Sequence, residues 1–235
     1  MVAGRRVTDA AALEVAKMVY PGLLTTELLS AFRSHQVQAV GLSGVDADLI
    51  EAHRRPPVSV TADDGSSSMV DYGHVGDIDS VDPRVLMTLL DGQFVPVIAS
   101  LAGDAEGNVY NVNADTVAET LAIALKAQKL IFLTGAPGVL RDRNDPSSLV
   151  TFADPDDLAE LLKSGVIAGG MRPKVEACIR AATGGVERTH IIDGRVHDSL
   201  LLEVFTGTGA GTMIVGRKEK ATYLGVDLAD GDRAS

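Results

Sequence analysis

The sequence predicts an α/β protein with a mainly parallel open sheet flanked by helices. Near-continuous apolar runs typical of buried strands, such as 94–100 and 129–134, alternate with the Ala-rich helical pattern of 116–126. Strand, helix, strand alternation favours right-handed crossovers and parallel pairing. The 235 residues are 46% hydrophobic and 4% aromatic with no Trp, which predicts one or two cores built from Val, Leu, Ile and Ala.

The first half of the chain is predicted to alternate helices, strands and turns. In order, we expect a helix over 9–20 ended by Pro21-Gly22, a helix from Thr25 or Thr26 to Arg33, a strand over 37–42, loops or a hairpin over 54–57 and 61–68, a tight mobile turn at Gly73-His-Val-Gly76, a helix over 83–90 and a strand over 94–100.

The second half continues the same alternation. We expect a helix over 116–126, a strand over 129–134, a helix over 155–163, a helix from Lys174 to Ala182, a strand over 188–192, a helix packing Leu200, Leu201 and Val204, and a terminal strand at 213–215. From Lys218 onward the residues are polar and charged, which predicts a loose tail over 218–235.

Composition excludes several classes of function. The net charge of −11 argues against nucleic-acid and membrane-surface binding, because contacts to phosphates need a basic face. The single Cys178 falls on the apolar stripe of a predicted helix, so we expect a core residue and not a nucleophile. No signal peptide or membrane-length apolar run is seen, and we predict a cytoplasmic protein without membrane contact.

Two segments carry chemistry. In residues 165–177, Gly169 and Gly170 precede Pro173 and Lys174 at a predicted helix start, a corner suited to phosphate; a plain loop with a solvated lysine is the alternative. In Tyr110-Asn-Val-Asn-Ala-Asp115, Asn111 and Asn113 lie on the same side of an extended chain. An Asx turn followed by an Asp helix cap is the alternative there.

Together these segments resemble the amino acid kinase family, and within it the acetylglutamate kinases, which phosphorylate the side-chain carboxylate of N-acetyl-L-glutamate with ATP. Further matching stretches run in order along nearly the whole chain: Gly4-Arg-Arg-Val-Thr8, Gly41-Leu-Ser-Gly44, Gly73-His-Val-Gly76, Leu133-Thr-Gly-Ala-Pro-Gly138 and His197 through Thr212. The resemblance implies a three-layer sandwich, an arginine-biosynthesis transferase, and a homo-oligomer.

The resemblance also implies roles for residues. Arg6 matches the arginine that binds the substrate α-carboxylate, Asn111 and Asn113 match substrate-binding residues, and Lys174 and Asp115 match a catalytic lysine and the aspartate that orients it. A guanidinium suits the first role because its planar fork matches a carboxylate. His74 is expected to cover the substrate and not to transfer a proton, because a carboxylate acceptor is already ionised.

Nucleotide and effector residues are implied in the same way. The nucleotide set is Thr134, Gly135, Gly138, Gly170 and Met171, although the family usually has Asp where this chain has Gly135. Mg²⁺ is expected to arrive with ATP, held chiefly by phosphates and waters, with no dedicated protein metal site and no prosthetic group. His197, Glu203 and Gly209 match an arginine effector site, so feedback by arginine is a hypothesis.

Members of the family begin with a Lys-x-Gly-Gly segment and a His-Gly-Gly-Gly segment, and the resemblance implies that this sequence starts after both. We therefore expect three parts: a remnant of the acyl-substrate-binding lobe (1–126), a nucleotide-binding lobe (127–217) and the polar tail (218–235). Two alternatives remain open. One is an aminoadipate-type kinase of lysine biosynthesis, and the other is a non-catalytic regulatory or assembly subunit with an arginine site.

Overall fold

The chain divides into two compact units, residues 1–125 and 126–235. The structure, a computed structural model, describes residues 7–61, 67–206 and 209–216. Its elements confirm the predicted α/β class, because parallel strand pairs and helices occur in both units. Antiparallel pairs accompany them in both units. The predicted tail lies outside the described residues.

Unit 1 contains four helices and eight strands within its described residues. They are α1 (Ala10–Met18), α2 (Thr25–Ser34), β1 (Ala39–Ser43), β2 (Ile50–Arg54), β3 (Val58–Thr61), β4 (Ser67–Val70), β5 (Gly76–Val81), α3 (Arg84–Asp91), β6 (Val95–Ala99), β7 (Leu101–Gly103), β8 (Val109–Asn111) and α4 (Ala114–Ala124). Strands β1 and β6 pair in parallel, β3 and β4 form a hairpin, and the remaining four lie in the order β5-β2-β7-β8.

The first helical region is longer than the sequence predicts. Pro21-Gly22 does not end it, because a π-helical turn (Val19–Leu24) carries the chain from α1 directly into α2. Proline has no N–H to donate to the preceding turn, and such a position commonly widens a helix. The Thr25 hydroxyl donates to the Tyr20 carbonyl at 2.7 Å, which satisfies one of the disturbed backbone acceptors.

The core of unit 1 lies between its four-stranded sheet and two helices. It is formed by Leu49, Ile50, Ala52, Leu86, Ala102, Tyr110, Val112, Val117 and Leu121. Because α4 contributes Val117 and Leu121 to this core, the position of its first turn is fixed relative to β8, which ends at Asn111. The predicted substrate residues therefore lie at the end of β8 and directly after it.

Unit 2 has a four-stranded sheet in the order β10-β12-β11-β9 within its described residues. Its elements are β9 (Lys129–Thr134), β10 (Phe152–Ala153), α5 (Pro155–Lys163), α6 (Met171–Thr183), β11 (Arg188–Asp193), α7 (Ser199–Phe205) and β12 (Gly211–Val215). Strands β9 and β11 are parallel neighbours with Thr134 opposite Asp193. Their carboxyl ends therefore lie side by side, which is where open sheets bind ligands.

One packing prediction in unit 2 is wrong. Leu200 and Leu201 of α7 are 43% and 54% exposed, whereas Ser199 and Glu203 of the same helix are buried. The buried side of α7 carries Glu203, whose carboxylate is hydrogen-bonded to His190, whereas Leu200 and Leu201 lie on the exposed side.

Candidate functional site

Thr8 is the meeting point of three predicted site segments in unit 1. Its side chain accepts a hydrogen bond of 3.1 Å from Asn111 Nδ2, and its carbonyl accepts one of 2.7 Å from His74 N. Its own N–H donates to the Tyr72 carbonyl at 3.0 Å, and the residue is 3% exposed. Arg6 itself lies outside the described residues, but the structure joins the segment that follows it to Asn111 and to the 73–76 turn.

The 73–76 turn requires its two glycines for close packing. A Cβ at Gly73, where φ is +74°, would lie 2.2 Å from the Thr8 carbonyl oxygen. A Cβ at Gly76 would lie 2.7 Å from the Tyr110 side chain. Each end of the turn is therefore pressed against a neighbouring segment that only glycine can approach. The predicted mobility of this turn stays a prediction.

An arginine and an aspartate support the same turn. Arg54 donates from Nη2 to Asp71 Oδ2 at 2.8 Å and from Nε to the Gly73 carbonyl at 3.0 Å. Asp71 Oδ1 accepts from Gly73 N at 2.8 Å, and this N–H is the main cause that lowers the pKa of Asp71, ahead of Arg54. Sequence reasoning missed this arrangement, because Arg54 and Asp71 belong to different segments with no shared motif.

A cavity of about 270 Å³ opens beside these groups. Its lining is mainly apolar and comes from α1, the turn after it, the segment before it and the end of β8: Val7, Thr8, Ala12, Val15, Ala16, Val19, Tyr20 and Asn111. Polar groups are contributed by Thr8, Tyr20 and Asn111. Such a lining suits a small ligand that has both an apolar part and hydrogen-bonding groups.

Asn113 caps helix α4. Its side-chain oxygen accepts from the N–H groups of Asp115 at 2.8 Å and Thr116 at 3.2 Å. The helix begins at Ala114, earlier than the predicted Thr116, and Asp115 lies in its first turn and is not the cap. A carboxylate there is favoured by the helix dipole. The substrate-binding role of Asn113 and the catalytic role of Asp115 stay predictions.

The carboxyl end of β9 carries the predicted nucleotide segment in unit 2. Thr134 Oγ1 donates to the Ala136 carbonyl and accepts from Ala136 N, both at 2.9 Å, and so forms a tight local turn. The Thr134 carbonyl accepts from Gly194 N at 2.9 Å, which ties this turn to the segment after β11. The main chain at Thr134 and Gly135 is therefore held in place before any ligand arrives.

Arg195 occupies the space next to Gly135. A Cβ at Gly135 would lie 3.9 Å from both Cζ and Nε of Arg195. Arg195 also forms a bidentate pair with Asp193, through Nε to Oδ1 at 2.9 Å and Nη2 to Oδ2 at 2.8 Å. These hydrogen bonds lower the pKa of Asp193 to about 2. Sequence reasoning did not identify this guanidinium at the nucleotide segment.

Gly138 has a packing role. It is buried, its φ is +147°, and a Cβ there would lie 2.6 Å from Thr212 Oγ1 and 2.8 Å from Leu149 Cδ1. Thr212 Oγ1 also accepts from Val139 N at 2.8 Å. These contacts account for a glycine at this position without a ligand. The predicted nucleotide contact of Gly138 stays a prediction.

The start of α6 leaves an open approach to backbone N–H groups. Gly170 precedes Met171, the first helical residue, and its position has no side-chain cap. No atom lies within 4 Å of a Cβ built at Gly169 or Gly170. The first N–H groups of a helix lack intrahelical acceptors and attract anions. Gly170 and Met171 are thus in a geometry suited to the predicted phosphate contact.

Lys174 lies in the first turn of the same helix. Its Nζ is 5.9 Å from the centroid of the Phe132 ring, which belongs to β9. This contact places the lysine beside the strand that leads to Thr134. Lys174 and the predicted nucleotide segment are therefore brought together within unit 2.

The predicted effector residues lie in different environments. His197 is 94% exposed at its side chain and pairs with Asp198, whereas the Glu203 side chain is 3% exposed. Glu203 Oε1 is 2.6 Å from His190 Nδ1, and Oε2 accepts from Ala210 N. A Cβ at Gly209, where φ is +64°, would lie 3.0 Å from Glu203 Oε2. An effector guanidinium would have to displace these contacts, so the assignment of Glu203 stays a prediction that this geometry does not favour.

Within residues 7–61, 67–206 and 209–216 no group of three or more His, Cys, Asp or Glu side chains is arranged to hold a metal ion. In the same part of the chain no helix combines the length and apolar character needed to cross a bilayer.

The model of the amino acid kinase family matches residues 2–193. This chain belongs to the amino acid kinase family. It is 54% identical to an acetylglutamate kinase of Myxococcus xanthus over 91% of this chain and 70% of that protein. It is 46% identical to an acetylglutamate kinase of Moorella thermoacetica over 91% of this chain and 72% of that protein.

Among solved structures, the N-acetylglutamate synthase of Neisseria gonorrhoeae, crystallised with coenzyme A and N-acetyl-glutamate, has a similar fold. Its TM-score is 0.74 at 25% identity, and the match covers 89% of this chain and 45% of that one. Amino acid kinase membership confirms the family that the motifs predicted. It leaves the role of each site residue to be tested.

Proposed function

We propose that this chain transfers the γ-phosphoryl group of ATP to the side-chain carboxylate of N-acetyl-L-glutamate, a step of arginine biosynthesis. The observation that carries the proposal is 54% identity to an acetylglutamate kinase over 91% of the chain. A match of this length spans both units.

The acceptor is assigned to unit 1. Arg6 would bind the α-carboxylate, and Asn111, at the wall of the 270 Å³ cavity, would bind the acetamide group. The apolar part of that lining would contact the methylene groups and the acetyl methyl group of the ligand, whereas its two carboxylates would need cationic partners such as Arg6.

The nucleotide is assigned to unit 2. Phosphoryl transfer needs alignment and neutralisation of charge on the transferred group more than covalent help. The open N-terminus of α6 and the Lys174 ammonium would supply positive electrostatic potential to the phosphates. Thr134 and Gly135 would contact the nucleoside end. Mg²⁺ would enter with ATP and use mainly phosphate and water ligands.

The remaining assignments are the arginine effector, a homo-oligomer and a cytoplasmic location, and all three stay proposals. The burial of Glu203 against His190 gives the arginine site no support of its own. An aminoadipate-type acceptor is the competing substrate.

The proposal is tested by trapping the product. The purified chain is incubated with MgATP, hydroxylamine and N-acetyl-L-glutamate, and the hydroxamate formed from the acyl phosphate is measured together with ADP. We expect both products to depend on N-acetyl-L-glutamate, with little product from L-glutamate or N-acetyl-2-aminoadipate. Release of ADP with only the aminoadipate acceptor would assign the chain to lysine biosynthesis. Arginine binding in calorimetry without ADP release would favour the regulatory alternative.

A further inference from the structure

We infer that Thr8 is a positioning residue for the acceptor: its hydroxyl orients the Asn111 amide, and its main chain fixes the 73–76 turn against the same site. The inference rests on the proposed function, because Asn111 is taken as a substrate-binding residue there. No motif used to predict the site assigns a role to Thr8.

The orientation of Asn111 depends on Thr8. Asn111 is at the end of β8 and uses its main-chain N–H on the His74 carbonyl at 2.9 Å. Its side-chain Nδ2 donates to Thr8 Oγ1 at 3.1 Å, so the amide plane is set by a group from a distant part of the chain. With one amide hydrogen committed to Thr8, the other hydrogen and Oδ1 are presented in a fixed direction.

Thr8 is itself held rigidly. It is 3% exposed and forms a parallel bridge with Gly73, through Thr8 N to the Tyr72 carbonyl and His74 N to the Thr8 carbonyl. The second bond is 2.7 Å long, and the absence of a side chain at Gly73 permits the contact. A buried hydroxyl with a fixed backbone is a precise anchor, because its rotamer and position are both determined by packing.

The 73–76 turn, which contacts the main chain of Thr8, is itself stabilised by hydrogen bonds from neighbouring residues. Arg54 contacts the Gly73 carbonyl and Asp71, and Asp71 accepts from Gly73 N. At its far end, Val75 forms a bridge with Asn111, and Gly76 begins β5 against Tyr110. Asn111 is thus held by Thr8 at its side chain and by the turn at its main chain. We therefore expect a displacement of Thr8 to change the orientation of the Asn111 side chain before it affects other residues of the site.

The test uses two substitutions of Thr8, one that removes the hydroxyl group and one that retains it. Thr8→Val keeps the shape and removes the acceptor of the Asn111 bond, whereas Thr8→Ser keeps the hydroxyl. Thr88→Val is the matched control, because its hydroxyl donates only to Arg84 O on an exposed face of α3. We expect Thr8→Val to raise the KM for N-acetyl-L-glutamate about tenfold, which corresponds to the loss of one hydrogen bond. The KM for ATP and kcat should change less than about threefold, and Thr8→Ser should restore the acceptor KM to within about threefold of wild type.

A double-mutant cycle separates positioning from general destabilisation. In an Asn111→Ala background, Thr8→Val should have no further effect on the acceptor KM, because the residue through which it acts is gone. Equal effects of Thr8→Val with and without Asn111 would overturn the inference. So would an unchanged acceptor KM in Thr8→Val, or a Thr8→Ser variant as impaired as Thr8→Val.

Binding measurements distinguish a failure of this inference from a failure of the proposed kinase activity. Calorimetry of N-acetyl-L-glutamate on the same variants repeats the comparison as a Kd without turnover. Wild-type binding with no ADP release would contradict the kinase proposal, while the order wild type, Ser, Val in affinity would still support the role of Thr8. No binding and no turnover by wild type would overturn both.

Discussion

Glu203 Oε1 accepts a 2.6 Å hydrogen bond from His190 Nδ1, and both side chains are 3% exposed. The pair joins β11 to α7, and the second carboxylate oxygen accepts from Ala210 N just before β12. Burial lowers the pKa of His190 more than the neighbouring carboxylate raises it, and Lys129 and Arg188 lower it further. His190 is therefore neutral at pH 7 and donates from Nδ1.

This pair predicts acid sensitivity. In the unfolded chain His190 takes up a proton near its ordinary pKa of 6.5, whereas in the folded protein its pKa is lower. The unfolded state therefore binds more protons below pH 6.5, and the stability contributed above that pH is lost as the pH falls toward the folded pKa. The contribution of one such group has a limiting slope of about 1.4 kcal/mol per pH unit.

The prediction is checked by urea unfolding of wild type and His190→Asn between pH 7.5 and 5. Asparagine keeps an N–H donor near the position of Nδ1 and does not titrate. We expect the variant to be less stable at pH 7.5 but to lose less stability on acidification. His35→Asn, an exposed position at the end of α2, is the control and should follow wild type. Parallel pH curves for wild type and His190→Asn would contradict the account.

Asn113 offers a way to separate a structural role from a binding role. Asn113→Ala removes the cap of α4 and should lower the free energy of unfolding by about 1 kcal/mol. Asn113→Asp keeps the capping oxygen, and its charge suits a helix N-terminus, so stability should not fall. If Asn113 binds the anionic acceptor, Asn113→Asp should nevertheless raise the KM for N-acetyl-L-glutamate several-fold. Asn144→Asp makes the same change in an exposed loop and serves as the control. If the KM for the acceptor in Asn113→Asp equals that of wild type, Asn113 has only the structural role of capping α4.

How far the sequence predicts the structure depends on where the information lies. The bounds of β9 and α5 were predicted to the residue, because β9 is an apolar run and α5 has a capping box between Asp154 and Asp157. Strand β2 is not among the predicted elements although Ile50–Arg54 alternates apolar and polar residues as a half-buried strand does, because the run is short and the Arg-Pro-Pro sequence that follows it indicates a loop. The packing of Leu200 and Leu201 was wrong, because burial of α7 is determined by His190 from another strand.

The same distinction applies to the site. Lys174 and Gly170 could be identified because a glycine turn, a proline and a lysine are adjacent in sequence, and the phosphate role predicted for them remains to be measured. Thr8, Arg54 and Arg195 could not, since each acts through contacts with residues of other segments. Such contacts leave no spacing pattern in one sequence.

Two glycines predicted to contact nucleotide should respond oppositely to alanine. Gly138→Ala places a methyl group 2.6 Å from Thr212 Oγ1 at a φ of +147°, so we expect a loss of about 2–4 kcal/mol in stability. Gly170 has a φ of −67° and open space around it, so Gly170→Ala should change stability by less than about 1 kcal/mol. Its methyl group should instead hinder approach to the N–H groups of α6 and raise the KM for ATP. Thermal unfolding and ATP kinetics measure the two effects, and Gly165→Ala, a surface glycine with open space but a φ of +76°, gauges backbone strain alone. An unchanged KM for ATP in Gly170→Ala would count against the phosphate site.

Lys174 is the residue whose removal should most affect turnover. Lys174→Met keeps a long apolar side chain that can still pack near Phe132, and it removes the ammonium. Loss of a preorganised charge that acts on the transferred group typically lowers kcat about 100-fold or more, while binding of the acceptor changes little. We therefore expect a large fall in kcat with a small change in the KM for N-acetyl-L-glutamate. Lys163→Met, at the exposed end of α5, carries the same chemical change away from the site and should keep wild-type kinetics. A fall in kcat that is matched by the control, or no fall at all, would show that the cation at the start of α6 has no part in phosphoryl transfer.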